Sequence, residues 1–562
     1  MTQVVTRAVP EAAAHALSSS GIAPLLARIF AARGVSMPAQ LDYSLNRLLP
    51  FQALKNCEVM AQRLADAIAQ QAHIVVVADY DADGATACTC AVQGLRLLGA
   101  RVSFIVPNRF EYGYGLSPEI VALAALQAPD IILTVDNGIA SVEGVAAART
   151  LGIEVLITDH HLPGDILPDA LIVNPNQHGC TFPSKHLAGV GVMFYVLMAL
   201  RAALRQRGAF TDVAEPNLAQ LLDLVALGTV ADVVQLDDNN RILVEQGLRR
   251  IRRGHACPGI NALFRASSRL PQKANTFDLG FMLGPRLNAA GRLDDMIIGI
   301  ECLLSPDAEQ ALMLAQTLDK LNRERRQIEQ GMQEEALQLL TTIEPSTRHT
   351  LTLFRDDWHQ GVVGIVASRL KERFHRPSLV FAPGDDGEIK GSGRSIAGFH
   401  LRDALDLVSK RHPLLLRKFG GHAMAAGVTL AASDFVVFQD AFESVAQELL
   451  PQGILTRSIE TDGQLTLSEF ELSTAAVLAD YAWGQGFPAP AFSDRFCVRA
   501  QRIVGEKHLR LTLEKEGAEF EAMLFNHNEW LPEVIKAVFQ LSVNEWQGKR
   551  SLQLLLDYWV AA

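Results

Sequence analysis

Three aspartates at alternate positions, Asp79, Asp81 and Asp83, stand in the run Asp79-Tyr80-Asp81-Ala82-Asp83-Gly84, directly after the apolar run 73–77. If the chain stays extended, side chains two apart point to one side. Like charges that close repel one another, and no lysine or arginine adjoins them. A bound cation is the natural remedy. Gly84 is the residue that lets the chain turn sharply into whatever follows. Two further apolar runs end the same way: 130–136 on Asp136, followed by Asn137-Gly138, and 154–159 on Asp159, followed by His160-His161. Asp232 lies among apolar neighbours in 226–234, where a lone charge is expensive to bury.

Carboxylates with one or two imidazoles make a hard-to-borderline ligand set, suited to Mn²⁺ or Mg²⁺, with histidine favouring Mn²⁺. The set has enough ligands for two ions about 4 Å apart, the arrangement used for phosphoester hydrolysis. A lone Asp-x-Asp after a strand is often a turn or a helix cap, and a His-His pair alone says less. Acids at three strand ends of one sheet are what give the pattern its meaning.

The elements that must position these residues are legible. The runs 73–77, 102–107, 130–136, 154–159 and 170–175 are short, apolar and rich in β-branched residues, so they predict buried strands. Helical stretches lie between them, one opening at Ser117-Pro118-Glu119 and one at Ser141, with Glu143 in its first turn and Gly152 at its end. Alternation of this kind predicts a parallel sheet with right-handed crossovers. Ligands of such sheets bind at the carboxyl ends of the strands, where these acids lie. A helical region spans 190–255. Ser305-Pro306-Asp307 opens a long charged helix whose Leu314, Leu318, Leu321, Ile328 and Met332 share a face and which closes at Pro345, a connector between patterned regions. Strands and helices resume from 350, and short strands and turns from 458 predict a small β-barrel or sandwich. Residues 1–50 read as a helical lead-in without chemistry. No internal repeat or low-complexity segment is evident.

Composition sets the outer limits. The 562 residues suggest three or four domains, and 49% hydrophobic with 20% charged residues is the balance of a chain with sizeable cores. The net charge of −11, from 51 lysines and arginines against 62 aspartates and glutamates, argues against a general nucleic-acid coating protein. It leaves room for a local basic groove. Seven cysteines without C-x-x-C spacing fit a reducing cytoplasm. No apolar run of roughly 18 residues predicts a membrane span, and the first 20 residues lack the basic start and apolar core of a signal peptide.

The four segments Asp79–Gly84, 135–138, 158–161 and 228–234 resemble, in this order, the motifs of the DHH phosphoesterase superfamily. Further segments, at 106–119, 187–195, 283–295, 359–374, 391–405 and 419–427, resemble its RecJ family over roughly residues 20 to 560. Ala78 departs from the glycine usual before the first motif. The resemblance implies an α/β chain: a parallel-sheet DHH domain over 51–305 after the 1–50 lead-in, a connecting helix over 306–345, an α/β DHHA1 domain over 346–457, and an OB-fold β-barrel over 458–562. It implies that Asp79, Asp81 and Asp136 hold one metal ion and Asp83, Asp136, His160 and Asp232 another. It implies that His161 faces the scissile phosphate, and that Asp159 orients its neighbours.

By the same resemblance the chain digests single-stranded DNA from the 5′ end, releases mononucleotides, and serves recombination and mismatch repair as a cytoplasmic monomer. Single-stranded DNA-binding protein and a RecQ-type helicase are the implied partners. His422, after Gly420-Gly421, is a second candidate for stabilising phosphate charge. Arg109, Ser392 and Arg394 are candidates for a 5′-phosphate pocket, with 391–395 read as a glycine-rich loop. Arg286, Asn288 and Arg292 are candidates for holding the strand, and Tyr112 and Tyr114 for stacking on it. Two rival readings use the same acids differently: a phosphatase of nucleotides or short oligonucleotides, and a replication scaffold without catalysis.

Overall fold

The structure, a computed structural model, describes residues 2–112, 115–341, 347–451 and 453–562, with the backbone alone at 109 and 110. The chain divides into two compact units, Thr6–Asp319 with Glu460–Ala562, and Met1–Val5 with Lys320–Ile459.

In the first unit the short β-branched runs form strands and the longer segments between them cross back as helices. The elements are β1 (His73–Ala78), α1 (Ala82–Leu97), β2 (Arg101–Ile105), α2 (Pro118–Ala125), β3 (Ile131–Val135), α3 (Val142–Thr150), β4 (Glu154–Thr158) and β5 (Leu171–Val173). The five strands make one parallel sheet in the order β2-β1-β3-β4-β5. Register is the important fact. Ala78 pairs with Val135, and Val135 with Thr158, so Asp79, Asp136 and Asp159, each one residue further on, stand side by side at one edge. One face of the sheet buries Val75, Val77, Ile132 and Ile157 against Ile120 and Val121 of α2.

Ser117 caps α2 as expected, its hydroxyl accepting from the Ile120 N–H. Ser141 does not cap α3; its hydroxyl accepts from Leu116 N–H instead and ties the preceding loop. The largely buried helices α4 (Gly189–Gln206) and α5 (Leu222–Ala231) follow. After α6 (Asp238–Arg252) comes a π-helical turn, Asp278–Leu283, which runs into α7 (Gly284–Leu293). The C-terminal strands, within 492–561, belong to this unit. The lead-in segment does too: Phe30 stacks on Trp483 and Phe487, and the Arg33 guanidinium grips both Asp462 oxygens at 2.7 and 2.9 Å.

Helix α8 (Ala308–Thr341) starts on Asp307, whose carboxylate accepts from the Gln310 N–H, and the division between units falls inside it. Its buried stripe is apolar at Ala311, Ala315, Leu318 and Leu321 and again at Met332, Ala336 and Leu340, but polar between Leu321 and Met332. Leu314 and Ile328 are only partly covered. The middle of the stripe is Asn322, Arg325 and Glu329, with Glu329 bound to Arg325 and to Arg369. Pro345 lies outside the described residues.

The second unit carries β6 (Leu351–Phe354), α9 (Val363–Phe374), β7 (Ser378–Pro383), β8 (Glu388–Arg394), α10 (Leu401–Arg411), β9 (Lys418–Gly421), β10 (Ala425–Ala431) and α11 (Phe435–Leu449). Its sheet runs β9-β10-β8-β7-β6, parallel only between β6 and β7. In the first unit β11 (Phe492–Val504), β12 (His508–Lys515), β13 (Ala518–Leu524), β14 (Val534–Trp546) and β15 (Lys549–Ala561) close a barrel, with β13 and β15 the parallel pair. The barrel resolves the choice left open between barrel and sandwich. Among the described residues no helix is long and apolar enough to cross a membrane.

Candidate metal centre

The first acidic run is not extended throughout. Asp79 ends β1, but Asp81 is the N-cap of α1, its Oδ1 accepting from the N–H groups of Asp83 and Gly84 at 2.9 and 3.0 Å. Asp83 is already in the first helical turn. The three carboxylates converge because the chain winds, not because it alternates. Gly84 likewise is helical rather than a turn. A methyl there would lie 2.4 Å from the Asp79 carbonyl oxygen, so glycine is required for the helix to start against the strand end. Asn288 of α7 accepts from Ala82 N–H at 2.8 Å, and a methyl on Gly291 would meet the Tyr80 carbonyl at 2.0 Å. Helix α7 therefore clamps this loop.

Asp136 has φ +63°, in the left-handed region that aspartate tolerates better than most residues, and Gly138 follows at +112°. The opposing helix approaches closely: a methyl on Gly189 would lie 2.6 Å from the Asp136 Cβ. Asp83 accepts from Gly189 N–H and Val190 N–H at 2.5 and 3.0 Å, which seats a carboxylate on the positive end of α4. Asp232 is the residue that ends α5. His160 Nε2 lies 3.1 Å from Asp136 Oδ1, 3.5 Å from Asp232 Oδ2 and 3.9 Å from Asp83 Oδ2.

Two of these atoms, Asp136 Oδ1 and His160 Nε2, are buried and without a hydrogen-bond partner. Orphaned polar atoms of this kind are costly unless something else satisfies them. Burial first, and then the neighbouring aspartates, hold the carboxyls of Asp79, Asp136 and Asp232 well above the usual range, and Asp83 at about 7. Negative charge is in excess there, with four buried carboxyls crowding one another. Three overlapping groups have ligand atoms all within 4.8 Å of one another: Asp79, Asp81 and Asp136; Asp83, His160 and Asp232; Asp136, His160 and His161. The donor set, oxygen with imidazole, fits a hard divalent ion.

Asp159 is buried and fully engaged. Oδ2 accepts from Ile139 N–H, and Oδ1 accepts from the His160 and His161 N–H groups and lies 2.8 Å from His161 Nδ1. Burial works against its charge, but the His161 hydrogen bond and both imidazoles outweigh it and hold the carboxyl low. Burial also opposes charge on His161, yet Asp159, then Asp79 and Asp232, push it up to about 9. His160, buried beside that cation, falls to about 4. The adjacent imidazoles are thus held in opposite protonation states.

The other sequence-nominated residues are placed as follows. Arg286 is buried, its guanidinium on Asp319 at 2.8 Å and the Met282 carbonyl at 2.6 Å, a packing position rather than an open one. Asn288 spends its carbonyl oxygen on Ala82 N–H. Arg292 is half-buried on the last turn of α7. Tyr112 packs against the sheet core, which argues for a structural role. The Arg109 side chain and Tyr114 lie outside the described residues.

In the second unit the segment 391–395 is not a loop: Gly391, Ser392, Gly393 and Arg394 belong to β8. Its glycines serve packing, since a methyl on Gly391 would strike the Phe381 ring at 2.4 Å and one on Gly393 the Leu401 side chain at 2.7 Å. Ser392 and Arg394 share the opposite face, with Nη1 3.3 Å from the hydroxyl. The start of α9 closes on them; a methyl on Gly364 would lie 2.9 Å from Ser392 Oγ and 3.1 Å from Arg394 Nη2. Burial disfavours the charge on Arg394, whose Nη1 also donates to the Gly393 carbonyl at 2.8 Å. His422 is exposed beyond β9. Gly421, at φ +137°, makes the tight turn to β10.

Comparison with known proteins agrees with this architecture. The DHH family N-terminal domain matches residues 73–229, the DHHA1 domain 348–448 and the RecJ OB domain 461–558. The chain is 51% identical to the single-stranded-DNA-specific exonuclease RecJ of Salmonella typhimurium and 50% to that of Escherichia coli, over 95% of each chain. It is similar to the crystal structure of RecJ in complex with Mn²⁺ from Thermus thermophilus, with 29% identity, a TM-score of 0.83, and coverage of 100% of this chain and 79% of that one. The Mg²⁺ complex of the same protein matches with a TM-score of 0.77 at 28% identity, over 99% of this chain and 78% of that one.

Proposed function

The chain belongs to the RecJ family of single-stranded-DNA-specific exonucleases, and from that premise we infer that it hydrolyses single-stranded DNA with two divalent ions, Mn²⁺ or Mg²⁺. The observation that carries this reading is the buried cluster itself: four aspartates with raised pKa around Asp136 Oδ1 and His160 Nε2, which have no hydrogen-bond partner. Such a cluster is a liability to folding unless cations complete it. Asp79, Asp81 and Asp136 would hold one ion, and Asp83, Asp136, His160 and Asp232 the other. With two divalent ions held there, the site would have hydroxide available near neutral pH and compensation for phosphate charge.

The residues around them do the rest. His160, at about 4, stays neutral near pH 7 and keeps a lone pair for a cation. His161 stays protonated, and Asp159 fixes its ring through Nδ1, so Nε2–H is left to donate to a non-bridging phosphate oxygen. Asp83 gains from the α4 N-terminus part of what burial costs it. In the second unit, Ser392 and Arg394 beside the start of α9 would take the terminal 5′ phosphate, with His422 as a further phosphate contact. Arg109 remains a candidate for the same phosphate pocket, and Arg286, Asn288 and Arg292 for holding the strand.

The role would be 5′-to-3′ release of mononucleotides in recombination and repair. The free cysteines, seven in all, suit a reducing cytoplasm. A monomer working with single-stranded DNA-binding protein and a RecQ-type helicase completes the proposal.

The test is a strand labelled at either end, incubated with Mn²⁺ and with Asp136→Ala and chelator controls. Immediate mononucleotide release from the 5′ label, with the 3′ label kept on shortening fragments, is the expected result. Cleavage of nucleotides or short oligonucleotides alone would move the assignment to a phosphatase, and binding without cleavage to a scaffold.

A further inference from the structure

Phe277 and Phe281 are 49% and 64% exposed, yet their rings stack on one another, centroids 5.1 Å apart and planes 22° from parallel. They flank and occupy the π-helical turn Asp278–Leu283, a distortion frequent at functional sites. That turn packs on the end of α5: a methyl on Gly280 would lie 3.2 Å from Val230 Cγ1, and one on Gly284 3.0 Å from Ala231 Cβ. Asp232 of the acidic cluster is the next residue. Val233 after it has φ +62°, a strained conformation for a β-branched side chain, and is 63% exposed. On the other side, Lys273 pairs with Glu545 at 2.7 Å, which brings the tip of the β14–β15 hairpin alongside, with Trp546 72% exposed.

Resting on the exonuclease reading above, we propose that Phe277 and Phe281 form a base-stacking platform that grips the single strand between the acidic cluster and the barrel. Flat, exposed, mutually stacked rings offer π-faces to any base, which suits a nuclease without sequence preference. Arg269 and Lys273 are exposed beside them, each paired with a carboxylate, Asp278 and Glu545, so stacking rather than charge is what the surface offers. A protein partner is the other class of occupant that exposed rings could fit. The continuity with Asp232 on one side and with the barrel hairpin on the other favours the strand.

The experiment uses the whole chain in chelator, so that binding is read without cleavage. Fluorescence polarisation compares a thymidine strand of about 20 nucleotides with a strand of equal length made of abasic sites. The wild type should favour the base-bearing strand. Each of Phe277→Ala and Phe281→Ala should weaken that strand by about tenfold, the scale of one stacked base, and leave the abasic strand within about twofold. Phe281→Trp should restore the preference, which separates lost stacking from lost structure. Equal loss on both strands, or unchanged affinity for both, would overturn the platform while leaving the exonuclease intact. If the wild type neither binds nor cuts single strands, the exonuclease reading itself falls, and the platform with it.

Discussion

Replacing Asp136 with asparagine should abolish cleavage and yet stabilise the metal-free protein. Asp136 is 1% exposed, its Oδ1 has no hydrogen-bond partner, and Asp83, Asp81, Asp79 and Asp232 all push its carboxyl toward the neutral form. Asp83 sets the scale. Raised from 3.8 to about 7, it costs the folded chain about 4 kcal/mol when ionised at pH 8. The sign follows from linkage. The folded form binds its protons more tightly than the unfolded form, so the penalty is absent below about pH 4 and grows as pH rises to 7. At pH 5 less than half of it is left. Asparagine keeps the shape and removes one of the repelling charges, so a gain of about 2 kcal/mol at pH 8 is expected, shrinking at pH 5. Urea unfolding followed by tryptophan fluorescence, in chelator and at both pH values, measures it. Saturating Mn²⁺ should reverse the order, because only the wild type gains the full binding energy. A variant that is equally stable or less stable than wild type in chelator at pH 8, with an unchanged circular dichroism spectrum, would refute the account of the cluster as uncompensated charge.

Asp159→Asn should remove the partner that holds His161 near 9, so the alkaline limb of the pH–rate profile should fall toward 6.5; an unmoved limb would detach His161 from catalysis. The same change weakens three buried N–H contacts and should lower stability by about 2 kcal/mol in a denaturant titration. Gly84→Ala raises intrinsic helix propensity by about 1 kcal/mol, but its methyl would meet the Asp79 carbonyl at 2.4 Å, so melting temperature and activity should both drop rather than rise. Arg394→Ala should reduce the kcat/KM preference for a 5′-phosphorylated over a 5′-hydroxyl strand by about tenfold, and an unchanged ratio would remove β8 from end recognition.

The sequence by itself determined the elements and the chemistry. Short β-branched runs between turn residues read as buried strands, and the three that lead into Asp79, Asp136 and Asp159 place those acids at the sheet edge where ligands bind. It also fixed the ligand types, hence the class of ion. The tertiary structure decided how those residues meet. The pairing of Ala78, Val135 and Thr158 brings three aspartates level, and that register is a long-range fact. Asp81 became a helix cap and Gly84 a point of contact because α1 starts hard against β1, which alternation in the sequence could not convey. Arg286 was nominated on residue type and spacing, and only folding brings Asp319, on another helix, to its guanidinium. The 391–395 segment looked like a loop because of its glycines, whose actual cause is the Phe381 and Leu401 side chains packed against them. Composition and period are local, whereas protonation state, register and close approach are set by neighbours that the chain brings together only on folding.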